Sequence, residues 1–192
     1  MIKQMPTYWG PQAFTAGPMY MGAISIFLFV LGLLLVKGPM KWWIAAISAL
    51  ALLLGWGRHF PLVSNLFFDY VPLYNKFRVP SMILVILQIT IPLLGFYSLS
   101  KVFKGCYDKK TFSRNFKIAL GITAGFCALF LVFPGIAGSF TSPADAQYPD
   151  WLQKTLPADR ESLLRYDAFR SLSYIAPVSY THLRAHETRH DL

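Results

Sequence analysis

The stretch "MILVILQITIPLLGFYSL", residues Met82–Leu99, decides the fold because it is long, apolar and free of charged residues. A bilayer core of about 30 Å needs about 20 mostly apolar helical residues, so the stretch predicts a transmembrane helix. Gln88 and Thr90 lie inside it, and polar groups at such positions are expected to hydrogen-bond across a helix interface. Pro92 is expected to kink the helix.

Three more apolar runs resemble this stretch in length and character. They are Met19–Val36, Trp42–Trp56 and Ile118–Ile136, and the last contains a GxxxG motif, Gly121 and Gly125, that permits close helix approach. Only 14% of the chain is charged, whereas a soluble domain carries about 25%. We therefore predict an all-α fold, a polytopic transmembrane helix bundle over residues 1–138, with spans near 19–36, 40–60, 80–99 and 117–136.

The lysines and arginines between the runs predict the orientation. Loop 37–41 holds two of them and loop 100–117 holds six, whereas the opposite side has Lys3, Arg58, Lys76 and Arg78. The positive-inside rule puts the richer side in the cytoplasm. The net charge of +9 is then explained by topology. We expect a multi-pass protein of the inner (plasma) membrane, in contact with membrane lipids and not with nucleic acid.

A polar, proline-bounded stretch, "FFDYVPLYNKFRVP" (Phe67–Pro80), then falls on the outer face. Pro72 and Pro80 disfavour a continuous helix, and irregular backbone near a bilayer must be buried in protein or line a watery cavity. One interpretation is a pocket in which Lys76 and Arg78 hold the phosphate of a lipid-linked substrate. The other is that both cations reach towards lipid headgroups. The candidate substrate-binding residues are Tyr74, Asn75, Lys76 and Arg78.

Carboxylates give little support for catalysis or metal binding. Asp69 could act as a base or metal ligand, but it could equally pair with Arg58 or Lys76, and one carboxylate alone is a weak sign of acid–base chemistry. The acidic residues Asp145, Asp150 and Asp159 lack EF-hand spacing and are expected to be solvated helix caps. We predict no catalytic residue, no metal and no cofactor in this chain.

The segment 139–177 is expected to lie outside the membrane as two short helices. Pro157 suits a first helical turn, and Glu161 and Arg165 form an i, i+4 pair. Apolar residues increase from Phe169 to Ile175, where a truncated fifth span is expected to begin.

The last residues break with the rest of the chain. Ser179–Thr188, "SYTHLRAHET", resembles the translation of a sequencing adapter. Residues 178–192 are therefore expected to be a non-native tail that packs against nothing, and the chain to be a fragment cut near Pro177. The i, i+4 spacing of His182 and His186 in this tail is not taken as a metal site.

Several blocks of the sequence resemble YfhO-type bacterial membrane proteins. They are "MPTYWGPQAFTAGPMYMG" (Met5–Gly22), "VKGPMKWW" (Val36–Trp43), "DYVPLYNKFRVPSM" (Asp69–Met82) and "DAQYPDWL" with "DRESLLRYDAFRSL" (Asp145–Leu172). The resemblance covers Met5 to Ile175 and is most specific in the blocks around Lys76 and Arg170.

The resemblance implies a large protein of the bacterial inner membrane related to GT-C glycosyltransferases, which take a sugar from a polyprenyl-phosphate donor on the outer face. It implies that the catalytic acid lies upstream of these residues, so the chain alone is expected to be inactive. It also strengthens the assignment of Lys76 and Arg78 to a substrate-facing loop. The alternative is a transporter or flippase of a lipid-linked sugar.

Overall fold

The computed structural model describes residues 21–56, 60–72 and 80–188, without the side chains of residues 80, 81, 143, 144 and 178–188. Within these ranges the chain is helical and contains no β-strand. The α-helices are α1 (Ala23–Leu35), α2 (Pro39–Gly55), α3 (Pro61–Tyr70), α4 (Val85–Phe103), α5 (Lys109–Val132) and α6 (Asp150–Thr188). Shorter 3-10 helices cover Pro80–Leu84, Pro134–Ala137 and Pro143–Gln147. The predicted all-α class is confirmed for the described residues.

A helix lies in each of the four predicted span ranges, but the helices differ in length. Met82–Phe103 and Lys109–Val132 are long and apolar enough to cross a membrane. α1 has 13 residues and α2 has 17, which is shorter than a full span of about 20. The sequence therefore predicted where apolar helices form, and a polytopic bundle stays a prediction.

α2 and α4 pack antiparallel within one of the two units into which the described chain divides, Ile24–Ala119. Three contacts show the direction: Ile44 clusters with Leu94, Ser48 bonds to Thr90, and Gly55 lies against Leu84. The start of α2 is therefore close to the end of α4. The two turns that follow α1 and α4 consequently lie at the same end of this unit.

Thr90 has the role that the sequence predicted. The Ser48 hydroxyl donates to Thr90 Oγ1 at 2.8 Å, and both side chains are buried. Gln88, for which the same role was predicted, is exposed instead. It lies two residues before Thr90, which in an α-helix is a different face.

α1 crosses α4 closely at two glycines. A Cβ at Gly32 would lie 2.9 Å from Leu94 Cγ and 3.0 Å from the Leu94 carbonyl oxygen. A Cβ at Gly95 would lie 3.0 Å from Leu28 Cβ. The close approach that Gly121 and Gly125 would permit is not used within the described residues, since a Cβ there would have no described atom within 4 Å.

The region after α2 differs from the prediction of one span over 40–60. α2 ends at Gly55, and α3 begins at Pro61, which occupies the first turn. Proline suits this position because its missing N–H would have no intrahelical acceptor there. α3 ends at Tyr70, two residues before Pro72, since a residue preceding proline avoids the helical region.

The second unit contains the residues from Leu120 onward. The prediction of two short helices in 139–177 is wrong, because α6 continues through both Pro157 and Pro177. Tertiary packing outweighs the proline here: Leu156, Arg160, Ala168 and Ile175 are buried along one side of α6. The span expected from Phe169 lies inside α6, which is not among the helices apolar enough to cross a membrane.

The backbone of the adapter-like tail is helical to Thr188. Its side chains lie outside the described part of the structure, as do residues 189–192. The prediction that this tail packs against nothing stays a prediction.

Candidate functional site

The predicted substrate loop is bracketed by described residues on both sides. Tyr74, Asn75, Lys76 and Arg78 themselves lie outside the described residues, and so does Arg58. The loop leaves α3 at Val71 and Pro72 and is followed by the 3-10 helix Pro80–Leu84. Leu84 contacts Gly55 at the end of α2. The chain therefore re-enters the packed unit at the end opposite the turn between α1 and α2.

The side of the loop formed by the end of α3 is exposed. Tyr70 is 80% exposed and the adjacent Asp69 is also exposed. Val71 is extended, with φ −96° and ψ 113°, and its N–H still donates to the Phe67 carbonyl at 3.0 Å. This bond fixes the point at which the helix stops and the loop begins.

The opposite end of the same unit is strongly basic. We call it the basic end. It consists of lysines in the turns that follow α1 and α4 and in the adjoining helix ends: Lys37, Lys41, Lys101, Lys104, Lys109 and Lys110. Residues 24–56 and 80–119 contain one acidic residue, Asp108. The two loops that the sequence placed on one side of the membrane are therefore brought together by the α2–α4 packing.

Two lysines of the basic end are held by partners inside the unit. Lys41 Nζ donates to the Leu33 carbonyl at 3.1 Å and lies 5.2 Å from the centre of the Trp42 ring. This bond satisfies a carbonyl in the last turn of α1, at the negative end of the helix dipole. Lys101 Nζ lies 4.8 Å from the centre of the Tyr97 ring. Lys37, Lys104, Lys109 and Lys110 are exposed.

A buried ion pair is the main polar feature of the second unit. The Arg160 guanidinium donates from Nη1 to Asp145 Oδ2 at 2.7 Å and from Nη2 to Asp145 Oδ1 at 2.8 Å. Nη1 also donates to the Phe140 carbonyl at 2.8 Å. Arg160 is only 1% exposed. These bonds hold the segment 140–145 against α6.

Asp145 was expected to be a solvated cap, and that expectation is wrong. Its Oδ2 does accept the Ser142 N–H at 2.7 Å, as a capping carboxylate would. However, the residue is buried and bound by a fork of two guanidinium bonds. The hydrogen bonds from Arg160 hold the pKa of Asp145 below its ordinary value, while burial acts in the opposite direction.

One signal in the sequence could have revealed Arg160. Leu156, Arg160, Leu164 and Ala168 recur every four residues, so they share one face of a helix. A cation in the middle of an apolar stripe requires a buried partner. The sequence does not say which carboxylate that is, because Asp145 lies fifteen residues away outside the helix.

The described residues offer no metal site. No three His, Cys, Asp or Glu side chains come together in the described ranges. The arrangement can bind anions through exposed lysines at the basic end, and it fixes one loop through an internal ion pair.

Comparisons with known proteins identify no relative: no protein-family model, no curated protein and no solved structure matches the chain.

Proposed function

We propose that these residues belong to a multi-pass protein of the bacterial inner membrane that handles a polyprenyl-phosphate-linked sugar on the outer face, as a GT-C-like glycosyltransferase. The proposal has two parts. The first is that the chain is embedded in a membrane. The second is that the loop containing Lys76 and Arg78 contacts the phosphate of the lipid-linked donor.

The exposure of the two longest apolar helices carries the first part. Only 33% of the most apolar window of Met82–Phe103 is buried, and only 22% of that of Lys109–Val132. A core helix of a soluble protein buries most of such a surface, because exposed apolar area is unfavourable in water. Ile89, Phe96, Ile122 and Phe126 on these helices are all more than half exposed. Lipid is the solvent that suits these side chains.

The distribution of charge supports the orientation. The basic end carries lysines from two loops, and the 3-10 helix that follows the substrate loop lies at the other end of the unit, where Leu84 meets Gly55. The positive-inside rule then assigns the basic end to the cytoplasm and the loop to the outer face.

Sequence chemistry supports the second part. Lys76 and Arg78 bring two cations, for which Asp69 supplies a single negative charge nearby in the sequence. A phosphate would supply the remaining counter-charge, and arginine can bind it through two parallel hydrogen bonds. The resemblance to YfhO-type proteins points to the same class of ligand.

Labelling of cysteines tests the membrane part. Cys106 is exposed in the turn after α4, so a membrane-impermeant maleimide should label it in inverted vesicles and not in intact spheroplasts. In a Cys106→Ser, Cys127→Ser background, Tyr70→Cys should give the opposite result. The control is labelling after detergent solubilisation, where both positions should react. Equal labelling of both positions from one side would contradict the orientation, and release of the chain by alkaline carbonate would contradict embedding.

Binding of a polyprenyl-phosphate sugar tests the loop. In the intact membrane protein, Arg78→Ala should weaken donor binding by about 1.5–3 kcal/mol, the usual contribution of a hydrogen bond to a charged group. Arg78→Lys should restore part of it, since a lysine lacks the planar fork. Lys154→Ala is the matched control, because it removes an exposed cation from the other unit. Unchanged binding in Arg78→Ala would show that the loop only anchors the protein at the interface.

An assay with the reconstituted protein distinguishes a glycosyltransferase from a flippase. A transferase should release the sugar to an acceptor or to water, whereas a flippase should move the intact lipid-linked sugar between leaflets. Translocation of an intact donor by reconstituted protein, without cleavage, would replace the transferase proposal.

A further inference from the structure

We propose that the basic end is a binding surface for anionic phospholipid headgroups, whose phosphates are contacted by Lys37, Lys104, Lys109 and Lys110. This inference rests on the proposed membrane embedding, and it adds a ligand class that neither the fold nor the substrate loop assigns.

Charge complementarity points to an anionic ligand. Residues 24–56 and 80–119, which contain the six lysines of the basic end, contain one acidic residue, Asp108. Lys41 and Lys101 already have acceptors or rings inside the unit. Four exposed lysines remain to be neutralised from outside.

The ends of the two long apolar helices place this charge at headgroup level. Met82–Phe103 ends, and Lys109–Val132 begins, within the basic end. Lysines at the ends of apolar helices extend their ammonium groups to the membrane surface. Lipid phosphates are the anions found at that depth, and each Lys near an anionic leaflet contributes about 1 kcal/mol.

Aromatic side chains favour a lipid over a soluble polyanion. Trp42 and Trp43 are 68% and 70% exposed, and Phe103 is 61% exposed. Tryptophan is enriched at membrane interfaces, where its ring is in contact with the acyl region and its N–H with headgroups. Nucleic acid or an acidic protein would neutralise the lysines but would leave the adjoining apolar helix surfaces in water.

Tryptophan fluorescence tests the inference at the site itself. The chain has five tryptophans, and Trp9→Phe, Trp56→Phe, Trp151→Phe would leave Trp42 and Trp43 as reporters. After reconstitution, quenching by brominated phosphatidylglycerol is compared with quenching by brominated phosphatidylcholine. We expect phosphatidylglycerol to bind about fivefold tighter or more, the equivalent of about 1 kcal/mol. This preference should shrink at high salt.

The matched variants remove two charges each. Lys37→Gln with Lys104→Gln should lower the preference for phosphatidylglycerol by about fivefold or more. Lys154→Gln with Arg165→Gln removes two cations that belong to the other unit and should leave the ratio unchanged. If the tryptophan replacements impair folding, native mass spectrometry of the unmodified chain should show retained phosphatidylglycerol in preference to phosphatidylcholine.

Each outcome decides the question. Equal quenching by the two lipids, or a preference that Lys37→Gln with Lys104→Gln does not change, would overturn the headgroup site while leaving membrane embedding intact. A chain that does not co-float with vesicles would overturn both. Binding of a short DNA duplex to the solubilised chain with no lipid preference would assign the surface to a soluble polyanion and overturn the inference.

Discussion

Two arginines of α6, five residues apart, each pair with a carboxylate. The two pairs differ in burial, in the number of hydrogen bonds and in the length of chain between the partners. Arg160 and Asp145 have side chains that are 1% and 13% exposed, and two parallel bonds join them. Arg165 and Glu161 are 50% and 39% exposed, and one bond of 2.8 Å joins them within a single turn. The first pair connects α6 to a segment outside it, and the second joins two neighbouring residues on the surface of α6.

The difference follows from solvent. Water screens an exposed pair, and holding two long side chains together costs entropy, so such pairs contribute about 0–1 kcal/mol. A buried pair is different because removing one partner leaves an uncompensated charge away from water. The chemistry of the two pairs is the same, so their environment decides what each does for stability.

Loss of the buried guanidinium should have the largest effect. Arg160→Ala is expected to lower the free energy of unfolding by about 3–5 kcal/mol, because Asp145 would remain buried without its counter-charge. Denaturation in detergent micelles followed by circular dichroism measures this. Replacing both partners, Asp145→Leu with Arg160→Met, should lose less than Arg160→Ala alone. A loss below about 1 kcal/mol for Arg160→Ala would show that the pair is no different from the exposed one.

Keeping the positive charge at position 160 while losing the two-bond geometry of the guanidinium should lower the free energy of unfolding by an intermediate amount. Arg160→Lys retains a cation, yet a lysine cannot reach both carboxylate oxygens and the Phe140 carbonyl in the same way. The expected loss is about 1.5–3 kcal/mol, the contribution of a hydrogen bond to a charged group. The same denaturation experiment applies, with Arg165→Lys as the control. If Arg160→Lys matched the unmodified chain, charge alone would hold the loop.

Acid should open the buried pair in a defined pH range. Because the folded-state pKa of Asp145 lies below its ordinary value of 3.8, the pair contributes fully above that value and is lost as pH falls through the folded pKa. Stability should therefore be insensitive to this group between pH 7 and 5 and should decline below about pH 4. Asp145→Asn should flatten this part of the stability–pH curve. An unchanged curve in Asp145→Asn would mean that other carboxylates cause the decline.

Removing the exposed pair should have the smallest effect. Arg165→Ala is expected to change the free energy of unfolding by no more than about 0.5 kcal/mol, as for other i, i+4 pairs on helix surfaces. Raising the salt concentration should reduce even this difference. A loss of 2 kcal/mol or more in the same denaturation experiment would show that Arg165 contacts something beyond Glu161.

The sequence predicted the weaker pair and missed the stronger one, for a physical reason. Glu161 and Arg165 follow from helix periodicity alone, so a local pattern finds them. Arg160 meets Asp145 only because the 140–147 segment folds back on α6, and no local pattern carries that information. For the long continuous apolar run Met82–Leu99, the prediction of a helix is confirmed.

At glycines and prolines, too, local sequence patterns do not reveal tertiary contacts. The GxxxG motif at Gly121 and Gly125 permits a close helix contact, but among the described glycines the close approach occurs at Gly32, Gly55 and Gly95, which no GxxxG motif marks. Pro157 was expected near a helix start, and burial of Leu156 and Arg160 on either side of it keeps α6 continuous instead. Charge and prolines predict the candidate loop from the sequence, and its four candidate residues lie outside the described ranges.

The hydroxyl pair of Ser48 and Thr90 has a consequence for how the helices find their register. Two apolar helices can shift along one another with little change in buried apolar area, because similar aliphatic side chains recur along each helix. A slip of one turn, about 5.4 Å, would separate the two hydroxyls and leave both facing apolar side chains. The bond contributes only about 0.6 kcal/mol by comparison with similar pairs, yet each slipped alignment lacks it. The bond therefore favours the one alignment of α2 and α4 in which the two hydroxyls meet over the neighbouring alignments.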